Sequence, residues 1–141
     1  MLCVPYVDIY FSNTDDSQLT SIMSELIQVT LYNLESELET LAAFERWLNA
    51  LSENLDDRYK VGKARQICGC PLSVFLTEEL GMRVKVGWDA FEVDDGHVYH
   101  TSLTRAFIQQ IDETRKKGEP VTIAQARRAL KDARAAIGGG N

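Results

Sequence analysis

Proline and cysteine are scarce in this chain of 141 residues, with three of each, and no apolar run extends beyond a few residues. Positive charge is almost missing from the first part, where residues 1–57 hold one basic side chain, Arg46, against eleven acidic ones. Each shortage excludes something. Three cysteines, Cys3, Cys68 and Cys70, are an odd number and no disulfide framework, and a chain of this size can bury a core without one, so reduced thiols are expected. Runs this short fall well below the ~20 apolar residues that span a bilayer, so no membrane association is expected. The stretch Met1–Phe11 has no basic residue and runs into Asn13-Thr14-Asp15-Asp16, which does not suit a secretory signal; a cytoplasmic protein is the expectation. No phosphate-cradling glycine loop, G-x-S-x-G elbow or H-E-x-x-H pair occurs, so neither a cofactor nor catalytic residues are expected.

The charge that is present is unevenly placed. The whole chain has a net charge of −6, yet residues 58–141 carry fourteen basic against ten acidic side chains. A bipolar molecule follows, with an acidic half that repels nucleic acid and favours a basic partner or the positive half of a second copy.

The order of local patterns predicts an α+β fold, mostly helical, with a small antiparallel three-stranded meander packed against helices and an N-terminal edge strand over residues 3–11. One domain is expected, with a strand and acidic helical segment over 1–55, a connector over 56–70, a helix-hairpin-helix-helix module over 71–137 and a tail over 138–141. Helix-start chemistry gathers before Ser17, and no Gly or Pro then occurs before Gly62. Leucines and Phe44 recur at spacings of three and four from Leu34 to Leu55, the stripe of an amphipathic helix. A single helix from Ser17 would be over ~50 Å long at ~1.5 Å per residue, so a break is expected, most naturally at the branched patch Val29-Thr30-Leu31-Tyr32. Pro71 and Gly81 bracket a helix with start and stop signals, and Thr122 with Gln125 makes a capping box for the last one. Between them the period changes to two. Asp95-Gly96 reads as a two-residue hairpin turn, which would pair Val93 with Val98, Phe91 with His100, Glu92 with Tyr99 and Asp94 with His97.

Candidate sites follow from these placements. Cys68, Cys70, His97 and His100 have metal-ligand chemistry, but a C-x-C spacing and histidines on opposite strand faces argue against one zinc ion, so no metal is expected. Cys70, just ahead of a helix N-terminus, is a candidate for a lowered thiol pKa, with His100 as the available base. The first functional expectation is a non-catalytic protein-interaction protein, an adaptor, assembly factor or inhibitor. It would use Glu35, Glu39, Glu45, Trp47 and Leu48 of the acidic helix to engage a basic protein partner or a second copy. One alternative is a nucleic-acid-associated regulator using Lys116, Lys117, Arg127, Arg128, Lys131 and Arg134, the last two helices imitating a helix-turn-helix; the other is a small zinc- or thiol-dependent protein.

Overall fold

The computed structural model describes residues 31–94 and 96–138. The expected strand over 3–11 and the helix start near Ser17 lie outside the described residues. Those described form an α+β fold of five helices, a three-stranded antiparallel sheet and a two-stranded one. Residues 31–40 are helical (α1), followed by α2 (Ala42–Asn54), β1 (Lys60–Lys63), α3 (Pro71–Leu80), β2 (Lys85–Val86), β3 (Ala90–Val93), β4 (Gly96–Tyr99), α4 (Ser102–Asp112), β5 (Pro120–Thr122) and α5 (Ile123–Ile137).

The leucine stripe behaves as its spacing implies. Leu34, Leu38, Leu41, Phe44 and Leu48 are all fully buried, while Leu51 and Leu55 emerge toward the surface. Of the patch expected to hold a break, Leu31 and Tyr32 are helical and Val29 and Thr30 lie outside the described residues; the break among the described residues is at Leu41. Leu41 sits in the left-handed region (φ 54°, ψ 30°), a conformation uncommon for a residue with a Cβ. What sustains it is a set of replacement hydrogen bonds. The Glu37 carboxylate accepts from Phe44 N at 3.0 Å and Ala43 N at 3.3 Å, and Thr40 Oγ1 accepts from Ala42 N at 3.2 Å. On the other side of the break, Thr101 Oγ1 donates to Leu38 O at 2.9 Å and Arg134 Nη2 to Thr40 O at 2.9 Å. Backbone groups orphaned by the kink thus find partners on α1, α4 and α5, as buried polar groups must. None of this is signalled by glycine or proline.

Helices α3, α4 and α5 begin and end where their caps lie. Pro71 opens α3, Cys70 Sγ accepts from Ser73 N at 3.4 Å, and Gly81 stops it at φ 67°. Thr101 with Thr104 and Thr122 with Gln125 form capping boxes for α4 and α5. At the C-terminus of α4, Arg115 Nη1 donates to Ile111 O at 2.9 Å and Gln110 O at 3.2 Å.

The meander β2-β3-β4 exists, with Gly87–Asp89 turning between β2 and β3. Its second turn differs from the expected one. Phe91 pairs with Val98, Glu92 with His97, Val93 with Gly96 and Ala90 with Tyr99, so Gly96 is a strand residue and not a turn residue. The pairing moves by two, which leaves every side chain on its expected face: Phe91, Val93 and Val98 inward, His97 and Tyr99 outward. At this strand position only glycine fits, because a Cβ added at Gly96 would stand 2.8 Å from Leu31 Cδ1. Glycine is used here for the close approach of a helix side chain, not for turn geometry.

The expected connector over 56–70 holds a strand. β1 pairs antiparallel with β5, with Lys60 opposite Thr122, Gly62 opposite Val121 and Lys63 opposite Pro120. The ribbon is stitched further by Ala64 N to Glu119 O at 2.8 Å and Gly118 N to Ala64 O at 2.9 Å. Carbonyls of Tyr59 and Asp57 accept from Ile123 N and Ala124 N, so the same segment caps α5. Because β5 lies between α4 and α5 and is bound into this ribbon, the two helices are not joined by the tight turn of a helix-turn-helix. The buried apolar side chains form one cluster, in which Phe44 packs on Phe75 at 5.5 Å and edge-on to Phe107 at 5.2 Å, joining α2, α3 and α4. No helix among the described residues is long and apolar enough to cross a membrane.

Candidate functional site

The residues expected to act together are spread across the molecule, and several serve the fold. Leu48 is fully buried and offers no surface to a partner. Glu45 and Arg134, assigned from sequence to opposite readings, meet each other: Arg134 Nη1 donates to Glu45 Oε2 at 2.7 Å while its Nη2 holds Thr40 O. Their charges close on the α1–α2 corner. Arg127 donates to Ser52 Oγ at 3.2 Å, and Arg128 pairs with Asp132 one turn along α5. The basic face of α5 is therefore partly spent on α2 and on itself. Lys131, Lys116 and Lys117 are exposed, with no side-chain partner among the described residues. Glu35 and Glu39 are exposed on α1.

Cys70 and His100 line one cavity, between α4 and the β2–β3 turn, while Cys3 lies outside the described residues. Among the described residues no three His, Cys, Asp or Glu side chains could hold a metal ion. Cys68 is disulfide-bonded, whereas Cys70 is a buried free thiol. This corrects the expectation of three reduced thiols: an odd count forbids complete pairing but not one bridge. Nor is Cys70 activated. Burial outweighs the help from Ser73 N and the helix start, pushing its thiol up to about 12. His100 lies against Phe91 at 4.5 Å and donates from Nε2 to Gly87 O at 2.9 Å, which leaves Nδ1 to accept from Thr104 Oγ1 at 3.2 Å. Burial lowers its pKa, so the ring is a neutral brace between the β2–β3 turn and α4. His97 is exposed on the outer sheet face beside Tyr99.

Two concavities stand out among the described residues. The first, about 540 Å³, lies between α4 and the β2–β3 turn, with Ile67, Val86, Phe107 and Ile108 among its walls. Trp88 stands at its rim, 91% exposed. Its charges largely answer one another: Arg65 N donates to Asp112 Oδ1 at 3.0 Å, and the Arg65 guanidinium donates twice to Asp112 O. Burial raises the Asp112 pKa, against the lowering by Arg65.

The second, about 730 Å³, is a groove between α2 and the β1–β5 ribbon. Trp47 and Leu51 from α2, Val61 from β1, Val74 from α3 and Pro120 from β5 give it an apolar floor, with Tyr59 at one end. Trp47 is fixed there by stacking against Phe44 at 5.9 Å and tilting on Phe75 at 5.3 Å. Lys60 and Lys63 line the groove, each exposed and without a side-chain partner among the described residues, and Glu78 is its one acidic lining residue. Lys116 and Lys117 precede Gly118, which also lines it. The sequence singled out Trp47 but set it among glutamates. Strand pairing brings lysines from thirteen or more residues away instead, and the only advance signal was the alternation of Lys60-Val61-Gly62-Lys63.

A family-model scan and searches of curated proteins and solved structures give no match for this chain.

Proposed function

We propose that this is a non-catalytic protein-interaction protein that receives an acidic, amphipathic segment of a partner in the groove between α2 and the β1–β5 ribbon. One observation carries the reading: a groove with an aromatic and aliphatic floor has on its rim two lysines without a side-chain partner among the described residues. Apolar residues of a partner would bury against Trp47, Leu51 and Tyr59, and its carboxylates would meet Lys60 and Lys63. Pre-organised aromatic anchors are the residues that supply most binding energy at interfaces, because they cover large area at little entropic cost. The lysines would contribute mainly to orientation and association rate, since rim charges stay solvated.

This reading keeps Trp47 as the anchor and reverses the charge of the partner relative to the acidic-helix expectation. Glu45 is neutralised by Arg134 and Leu48 is in the core, so the α2 surface is less acidic than its sequence. Two features support a binding role over a chemical one: the buried Cys70 thiol is held protonated at neutral pH, and both nitrogens of His100 are engaged in structure.

The reading is tested by titrating the full chain with a Leu- and Glu-rich amphipathic helical peptide and with its Leu- and Lys-rich counterpart. Saturable binding of the acidic peptide alone, weakened by K60E/K63E, is expected. Equal binding of both peptides, or of neither, would refute it.

A further inference from the structure

We infer that the acidic segment received by the Trp47 groove is the outer face of α1 from a second copy of this chain, giving head-to-tail association. The inference rests on the groove reading above and names its occupant. Along α1 the residues Tyr32, Glu35, Ser36 and Glu39 are all exposed, at spacings of three and four. They therefore share one helix face, where an aromatic ring that is 73% exposed leads two carboxylates. Neither carboxylate has a hydrogen-bond or ion-pair partner among the described residues. This face has what the groove lacks: an anchor to lay on Trp47 and Tyr59, and negative charge for Lys60 and Lys63.

Within one molecule no ion pair joins Glu35 or Glu39 to Lys60 or Lys63 among the described residues. α1 ends at the N-terminus of α2, where Arg134 holds Thr40 O, whereas the ribbon begins after the α2 C-terminus. Along α2, Trp47 and Leu51 lie about 9 and 15 Å beyond the break at ~1.5 Å per residue, and α1 packs on β4 and the N-cap of α4 through Leu31 against Gly96 and Leu38 O on Thr101. Two different patches make a heterologous contact, which propagates from copy to copy instead of closing as an isologous dimer does. One helix face in one groove falls below the ~1,200 Å² of a standard interface, so the association is weak, concentration-dependent and salt-sensitive.

Charge swapping tests this by sedimentation equilibrium on the full chain. In about 0.1 M salt the weight-average mass should rise above the 15.9 kDa of one chain as concentration approaches about 1 mM, and fall back near 1 M salt. E35K/E39K and K60E/K63E should each weaken association by at least about tenfold, because like charges then face each other, and an equimolar mixture of the two should recover it. The control R128E/K131E, on exposed positions of α5, should associate like the unaltered chain. A monomer under all conditions would overturn the inference, as would association that ignores the swaps or falls equally in the control. If the acidic peptide still binds the monomer through Lys60 and Lys63, the groove reading survives and only its occupant is wrong; if the peptide fails too, both fall.

Discussion

Replacing Leu41 by alanine and by glycine, beside the same two replacements at Leu38, isolates the strain at the α1–α2 break. Both leucines are fully buried, and only Leu41 has a left-handed backbone. Removing three carbons at ~0.8 kcal/mol each, with a cavity left behind, makes either alanine variant about 3–4 kcal/mol less stable. The informative quantity is the further step from alanine to glycine. At Leu38, in regular helix, glycine adds a backbone-entropy cost of ~0.5–1 kcal/mol and loses one more buried carbon, so L38G should be about 1.5 kcal/mol less stable than L38A. At Leu41 any residue with a Cβ already bears ~1–2 kcal/mol for the left-handed conformation, and glycine escapes it. The terms cancel, so L41G and L41A should agree within about 0.5 kcal/mol. Urea unfolding followed by far-UV circular dichroism measures all four, with equal m-values as the check on comparability. A glycine penalty at Leu41 as large as that at Leu38 would refute the break.

Other expectations follow from the polar contacts. Arg134→Met should lower stability by about 1 kcal/mol, because Thr40 O and Glu45 lose their partner at a half-exposed site, whereas Arg128→Met, which breaks only an exposed i,i+4 pair, should change it by less than about 0.5 kcal/mol; denaturant midpoints distinguish them. Cys70 should resist thiol reagents in the native state and react once unfolded. Its folded pKa lies above the unfolded value of 9.0, at about 12, so the unfolded thiol ionises first and stability falls as pH rises past 9. The loss should be about 1.4 kcal/mol at pH 10 and absent from C70S. His100 has the opposite displacement, a folded pKa below 6.5, so the unfolded state takes up the proton first. Stability should be complete above pH 6.5 and decline as pH falls through that value, and H100Q should lack this component. Asp112 cannot mimic it: its raised pKa imposes a cost above the folded value that is relieved toward pH 3.8, so stability gains there on acidification.

Residues whose information is local were legible from sequence. The Thr122–Gln125 box, Pro71 and Gly81 act on backbone within four positions, and each cap lies where its side-chain chemistry requires. The stripe from Leu34 to Leu48 was equally plain, since its spacing is set by the helix itself. What escaped depends on contacts between distant segments. The break at Leu41 is held by Glu37, Thr101 and Arg134, two of them sixty or more residues away. The second turn of the meander places Gly96 opposite Val93 and close under Leu31, a contact with a distant segment that the local Asp-Gly signal does not carry. The candidate groove was least visible of all. Trp47 stood out, but its neighbours Lys60 and Lys63 come from a strand concealed in a segment that reads as a connector, whose partner β5 lies beyond α4.

The most direct measurement concerns Trp47 itself. In the variant W88F it is the only tryptophan, so its emission reports on the groove alone. Titration with the acidic amphipathic peptide in low salt should give a saturable change in that emission, lost in K60E/K63E and reversed near 1 M salt. Emission that does not respond, or that responds unchanged when both lysines are reversed, would contradict the groove as the place where this protein meets its partner.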